Sequence, residues 1–221
     1  MSRSNWFPPL AVLAFLLVAV APARADEKAK GLRVAIMPVL NSSPEVGAPK
    51  IMLDILRDRL KEVPAERATF LYPADTERLL SDREATERGD VLLNTWSDYG
   101  TLDSTAAAGL DEIVMSDALL FVKITEWENT RVNTIGRGES NTTVGLQFAL
   151  FDLKSGKKTW WREPREQRFA QEIDVSSGTV NYDETGYIQS RNVTDPPRYE
   201  DVAADLVRSA FKNFPQQKQK K

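Results

Sequence analysis

The stretch from Ser116 to Arg162 constrains the fold more than any other part of this chain. It holds three runs: Ala118 to Trp127, Thr143 to Leu153, and Lys158 to Arg162. The first two are rich in β-branched and aromatic residues and have the length of strands. Asp152-Leu-Lys-Ser-Gly-Lys157 joins the second run to the third, and its Ser-Gly pair is a turn signal. The three runs therefore read as an antiparallel meander. Glu128 to Asn141, with Gly136-Arg137-Gly138, reads as a long hairpin loop. A phosphate-cradling loop would need a helix after its glycines, and a strand follows here. Trp160 and Trp161 are adjacent on the third run, so they point to opposite faces of the sheet.

The flanks supply more elements. Leu32-Arg-Val-Ala-Ile-Met-Pro-Val-Leu40 is expected as a strand. Apolar residues on both of its faces imply a covered inner strand, with pairing weakened at Pro38. Ala48 to Val63 repeats Ile51, Met52, Ile55, Leu56 and Leu60 at helical spacing, and Pro64 closes it. Ala68 to Tyr72 reads as a short strand, and Pro73 starts a second helix. Ser81 to Asp90 is highly charged and reads as an exposed helix or loop, with Arg88-Gly89-Asp90 as a solvated turn. Thr95 to Gly100 reads as a loop with two aromatics, and Leu102 to Val114 as a helix capped by Thr101 or Asp103. Beyond the meander, Arg162 to Arg168 alternates charge and would guard an edge strand over Phe169 to Ile173. Asp174 to Pro197 reads as a long polar loop. Tyr199 to Phe214 has the clearest helical periodicity, introduced by Pro196-Pro197 and stopped by Pro215.

The amino-terminal residues bear on location. Arg3, an apolar run from Leu10 to Val20, and Ala23-Arg24-Ala25 before Asp26 match a cleaved secretory signal over residues 1–25. The apolar run is about a dozen residues, whereas a bilayer span needs about 20. Loss of Arg3 and Arg24 takes the formal net charge from −3 to −5. The secreted form is expected to begin at Asp26; terminal sequencing that found Met1 or Ser2 would overturn this. Residues 26–215 are expected as a single α/β domain and 216–221 as a basic disordered tail.

Composition narrows the chemistry. At 42% hydrophobic, 221 residues suit one domain with its own core. The chain has neither His nor Cys, which removes the usual Ser-His-Asp and Cys-His sets, the usual zinc and iron–sulfur ligands, and any disulfide framework. Mixed charge gives no basic surface for nucleic acid. No residue set identifies a reaction, a cofactor or a metal. Glu126 and Glu128 share a strand face, but a hydrolase needs two carboxylates held at defined separation in a cleft.

A resemblance adds to this. Arg33-Val-Ala-Ile-Met-Pro-Val39, an amphipathic helix, Ser116-Asp-Ala-Leu-Leu-Phe-Val-Lys-Ile124, and Leu146-Gln-Phe-Ala-Leu-Phe-Asp-Leu-Lys-Ser-Gly-Lys157 with Trp160 occur in that order, before a closing Ala/Leu/Phe helix. The pattern resembles the CsgG-like bacterial envelope lipoproteins, with the TolB amino-terminal domain and LpoB as more distant relatives. The resemblance implies an α/β fold: a mixed β-sheet containing the antiparallel meander, packed by amphipathic helices in an anticodon-binding-domain-like sandwich. It also implies a non-enzymatic envelope role in secretion, assembly or wall-enzyme regulation through protein contacts. The chain departs from the family in lacking the lipid-bearing Cys, and it shows no paired alternating segments that would line a barrel. The expectation is a periplasmic or secreted protein that binds another envelope protein, has no membrane span after signal cleavage, and leaves an oligomer open. Its expected partner contacts are Trp127, Trp160, Trp161, Tyr182 and Tyr187. The alternatives are a small-ligand or glycan binder using the tryptophans, or a carboxylate-dependent hydrolase.

Overall fold

The computed structural model describes residues 31–131, 139–170 and 195–215. The signal segment, Gly136-Arg137-Gly138, most of the Asp174–Pro197 stretch with Tyr182 and Tyr187, and the basic tail lie outside them.

The meander forms as its sequence dictates. β4 (Ala118–Thr130) and β5 (Asn141–Asp152) pair antiparallel along their whole length, and β6 (Lys158–Arg162) returns along β5. The Ser-Gly turn closes as read: Gly156 takes a left-handed φ of 66°, and Ser155 donates from both its amide and its hydroxyl to the Asp152 carboxylate. The expected hairpin loop from Glu128 is shorter than read, because β4 continues to Thr130 and β5 starts at Asn141.

The chain before the meander adds parallel strands. β1 (Leu32–Ile36) pairs with β4, and β3 (Ala68–Leu71) pairs with the far side of β1. β2 (Leu40–Asn41) resumes beside β4 after Pro38. From Ile36 to Leu40 the chain advances four residues while β4 advances only from Leu120 to Lys123, so the proline sits in a bulge. Among the described residues the sheet has seven strands, in the path β3-β1-β4-β5-β6.

Two crossovers run from β1 to β3 and from β3 back past β1 to β4. Crossovers of one hand running in opposite directions must put their helices on opposite faces. They do. α1 (Ala48–Arg59), followed by a 3-10 turn at Leu60–Glu62, packs with Val34, Ile36, Leu120 and Ile124. α6 (Tyr199–Phe211) lies on that same face. α2 (Pro73–Asp82), α3 (Thr86–Tyr99), α4 (Ser104–Ala107) and α5 (Leu110–Ile113) cover the other face over Ala35, Met37, Leu119 and Phe121. The mixed α/β fold expected from the sequence is thus present.

Three local readings need correction. The charged stretch around Arg88-Gly89-Asp90 is the first half of α3, and Gly89 is buried rather than a solvated turn. Any Cβ there would lie 2.9 Å from Leu80 Cδ1, so the glycine lets α3 approach α2. Arg88 donates from Nε to the Ala106 carbonyl at 3.0 Å, which ties α3 to α4. Thr95 to Gly100 is the end of α3, with Trp96 buried at 3% exposure. Leu102 to Val114 is two single turns, because Gly109 adopts a left-handed φ of 73° between them. Asp103 does cap the first, accepting from the Ala106 amide at 2.8 Å.

Candidate interaction surface

The helices α2–α5 end above Phe121, Ala149 and Phe151, while the sheet continues beyond them. The outer stretch of that face is built by the ends of β4 and β5, by β6, and by β7 (Arg165–Phe169), which pairs with the start of β5. The charge-alternating run expected to guard an edge strand is itself the strand β7, and residues 171–173 of the expected strand over Phe169 to Ile173 lie outside the described residues. Exposure along β7 alternates, with Arg165, Gln167 and Phe169 facing water and Glu166 and Arg168 partly covered.

A bulge sets up this face. Ile124 pairs with Leu146 and Glu126 with Gly145, which leaves Thr125 as an extra residue. The inserted residue rotates Trp127 onto the same face as Ile124. Gly145 lies opposite, where a Cβ would stand 2.6 Å from Thr125 Oγ1, so only glycine fits against the bulge. Beyond the bulge, Glu126 and Glu128 look out on the open face.

The three tryptophans separate. Trp127 is buried at 2% exposure and stacks on Tyr199, with centroids 5.3 Å apart and planes at 17°. Burial, with the charges of Glu45 and Glu128, pushes the Tyr199 phenol above its usual range. Trp160 is buried among Phe148, Phe211 and Phe214. Trp161, paired with Ala149, is 45% exposed on the opposite face. Of the expected contacts Trp127, Trp160 and Trp161, two are core rings and only Trp161 is exposed, across the sheet from Trp160. Tyr182 and Tyr187 lie outside the described residues. The reading of sequence missed Phe169, which is 47% exposed at the end of β7. Its signal was the alternation of Arg165, Gln167 and Phe169.

Polar pairs fill the face between these aromatics. Arg165 Nε donates to both oxygens of Glu126, at 2.8 and 3.0 Å. That bond, reinforced by the carboxylate charge, raises the guanidinium pKa further. Gln147 donates to Glu163, and Gln167 donates to Asn141 Oδ1 at 3.1 Å. On the reverse side, Arg168 bridges Glu166 and Asp205 at 2.7 and 3.1 Å and holds β7 against α6. The face is thus of mixed sign and carries two exposed aromatics.

Glu126 is committed to Arg165, so it does not face Glu128 across a cleft. No group of three or more Asp and Glu residues is placed to hold a metal ion among the described residues. No described helix is long and apolar enough to cross a membrane.

No family model matches the chain, and no curated protein matches it. Similar solved structures exist. The lipoprotein GNA1162 from Neisseria meningitidis is 22% identical, aligned over 62% of this chain and 83% of its own, with a TM-score of 0.39. The PelC dodecamer from Paraburkholderia phytofirmans is 13% identical over 86% of this chain and 91% of its own, with a TM-score of 0.46. The LpoB C-terminal domain from Salmonella enterica is 14% identical over 66% of this chain and 89% of its own, with a TM-score of 0.38. Bacterial lipoproteins are thus among the solved structures to which this chain is similar.

Proposed function

We propose that this chain is a non-enzymatic protein of the bacterial envelope, exported by its amino-terminal signal, that works by docking another envelope protein. Secretion, assembly and regulation of a wall enzyme are the roles that the CsgG-like sequence pattern suggests for it. One observation carries the docking reading. Trp161 and Phe169 are large apolar side chains 45% and 47% exposed on the stretch of sheet that the described helices leave uncovered. Aromatics in a frame of polar pairs are the composition of a contact surface. The Glu126–Arg165 and Gln147–Glu163 pairs hold that frame in place before a partner arrives.

A photo-crosslinking residue placed at position 161 or 169 in growing cells is expected to yield one discrete envelope adduct. The same residue at Val46, which is 90% exposed in the turn before α1, serves as the control. Replacing Trp161 and Phe169 together by serine should leave unfolding stability within about 0.5 kcal/mol per site, because neither ring is core. It should also abolish an adduct formed through a probe at Gln167 on the same face. Adducts equally frequent at position 46, or an undiminished adduct in the double variant, would overturn the proposal.

A further inference from the structure

We propose that the β3 edge of the sheet is a second binding site, for an extended peptide bearing a carboxylate next to a bulky apolar side chain. It lies at the opposite margin of the sheet from Trp161, so it stands or falls separately from the docking face.

A pocket of about 240 Å³ opens there, lined by Arg33, Thr69, Phe70, Leu71, Leu79 and Met115 among others. Successive residues of a strand face opposite sides of a sheet. Arg33, Leu71 and Leu79 reach the pocket on the α2–α5 face, whereas the Phe70 ring packs on Phe211 and Phe214 across the sheet, so Phe70 meets the pocket with its main chain. β3 pairs with β1 and with no other strand among the described residues. The ladder phase follows from two facts: Leu32 pairs with Ala68, and the Leu32 amide donates to the Arg67 carbonyl at 3.0 Å. In a parallel pair this turns the amides of Thr69 and Leu71 toward β1 and the N–H and C=O of Phe70 outward. That outward pair is free to bond an added strand.

Arg33 supplies the charge. Its main chain is engaged with Asp117: its amide donates to Asp117 Oδ2 at 2.9 Å, and its carbonyl accepts from the Asp117 amide at 2.7 Å. Its guanidinium has no hydrogen-bond or ion-pair partner among the described residues. Strand alternation places the side chain on the face of Leu71, and the residue is half-buried. A carboxylate bound beside Leu71 and Leu79 would give this guanidinium, through a bidentate bond, the partner it lacks. Met115 stands at the rim, 57% exposed and held at a left-handed φ of 51°. A flexible thioether there adapts to varied apolar side chains. A second copy docking by the same edge does not fit, because Ala68–Leu71 offers no carboxylate to Arg33.

The test is a random heptapeptide library displayed on phage and selected against the full chain. Selected peptides are expected to share an Asp or Glu within two residues of Leu, Ile or Phe. The consensus peptide, followed by fluorescence anisotropy, should lose roughly tenfold or more in affinity against Arg33→Gln, as expected for a lost charge-assisted bidentate contact. Its binding should slow hydrogen exchange at the Phe70 amide, and methylating alternate peptide amides should abolish it. An unchanged thermal midpoint for Arg33→Gln separates loss of contact from loss of fold. Four results overturn the proposal: no peptide emerging; a consensus without an acid; no change at the Phe70 amide; or octanoate binding through Arg33 as tightly as the peptide.

Discussion

Replacing Phe211 by alanine is expected to destabilise the protein by about 3–5 kcal/mol, at the top of the range for a buried aromatic. Phe211 is 4% exposed on the last turn of α6. Its ring lies 6.3 Å from Phe70, 5.3 Å from Phe148, 5.2 Å from Trp160 and 5.1 Å from Phe214. Phe70 is on β3 and Trp160 is on β6, the two outer strands of the path. The sheet therefore curls around the end of α6, and Phe211 is a ring that both margins share. Truncation removes contacts to four aromatics at once, and no single neighbour can move in without leaving another. The cavity term should therefore add to the transfer term. Phe211→Leu keeps much of the volume and should cost clearly less. Urea unfolding of both variants decides this, and a loss below about 1.5 kcal/mol for alanine would mean that the margins do not converge on this ring.

The elements legible in the sequence were those where one periodicity had no competitor. β4 and β5 are long runs of β-branched and aromatic residues, and β5 is joined to β6 by a turn whose Ser155 and Gly156 are both used. α6 repeats its apolar residues at helical spacing from Tyr199 to Phe211. α3 was hidden because its first half is charged and contains Gly89, normally a breaker. That glycine lies buried against Leu80 of α2, which is information only the tertiary fold holds. The opposite error joined α4 to α5: the apolar pattern continues through Gly109, but the backbone turns left-handed there. β7 is not legible because alternating charge reads as protection of a neighbouring strand rather than as a strand itself. Arg168 is in fact consumed by Asp205 on α6, a partner 37 residues away. Of the candidate face, alternation placed Trp160 and Trp161 on opposite sides but could not say which was inside. The pairing of Trp160 with Leu150, whose side chain joins the α6 core, settles it. Exposure of Trp161 depends further on where α2–α5 stop. No local pattern encodes that.

Trp96→Ala, on the other face of the sheet, is expected to cost a similar 3–5 kcal/mol, and it discriminates between two readings of the same residues. If Thr95 to Gly100 were a surface loop, the substitution would fall within about 0.5 kcal/mol of neutral. In the structure Trp96 is 3% exposed and lies over Phe121 at 5.1 Å, and Phe121 meets Phe151 edge-on at 5.6 Å. This row of rings joins α3 to β4 and β5. The other coverings nearby are weak by themselves, since α4 and α5 are four residues each. A helix of one turn has no intrinsic stability and depends on what it packs against. Losing Trp96 should therefore loosen α4 and α5 along with α3, and denaturation should be accompanied by faster hydrogen exchange in both short turns. Trp161→Ala is the matched control: it removes the same chromophore from the same face at almost no cost in stability. Because Trp96 and Phe211 are separated by the sheet and share no partner, the double alanine variant should equal the sum of the singles within about 0.5 kcal/mol. A large coupling between them would show that the two cores do not respond independently, and that the sheet transmits packing changes from one face to the other.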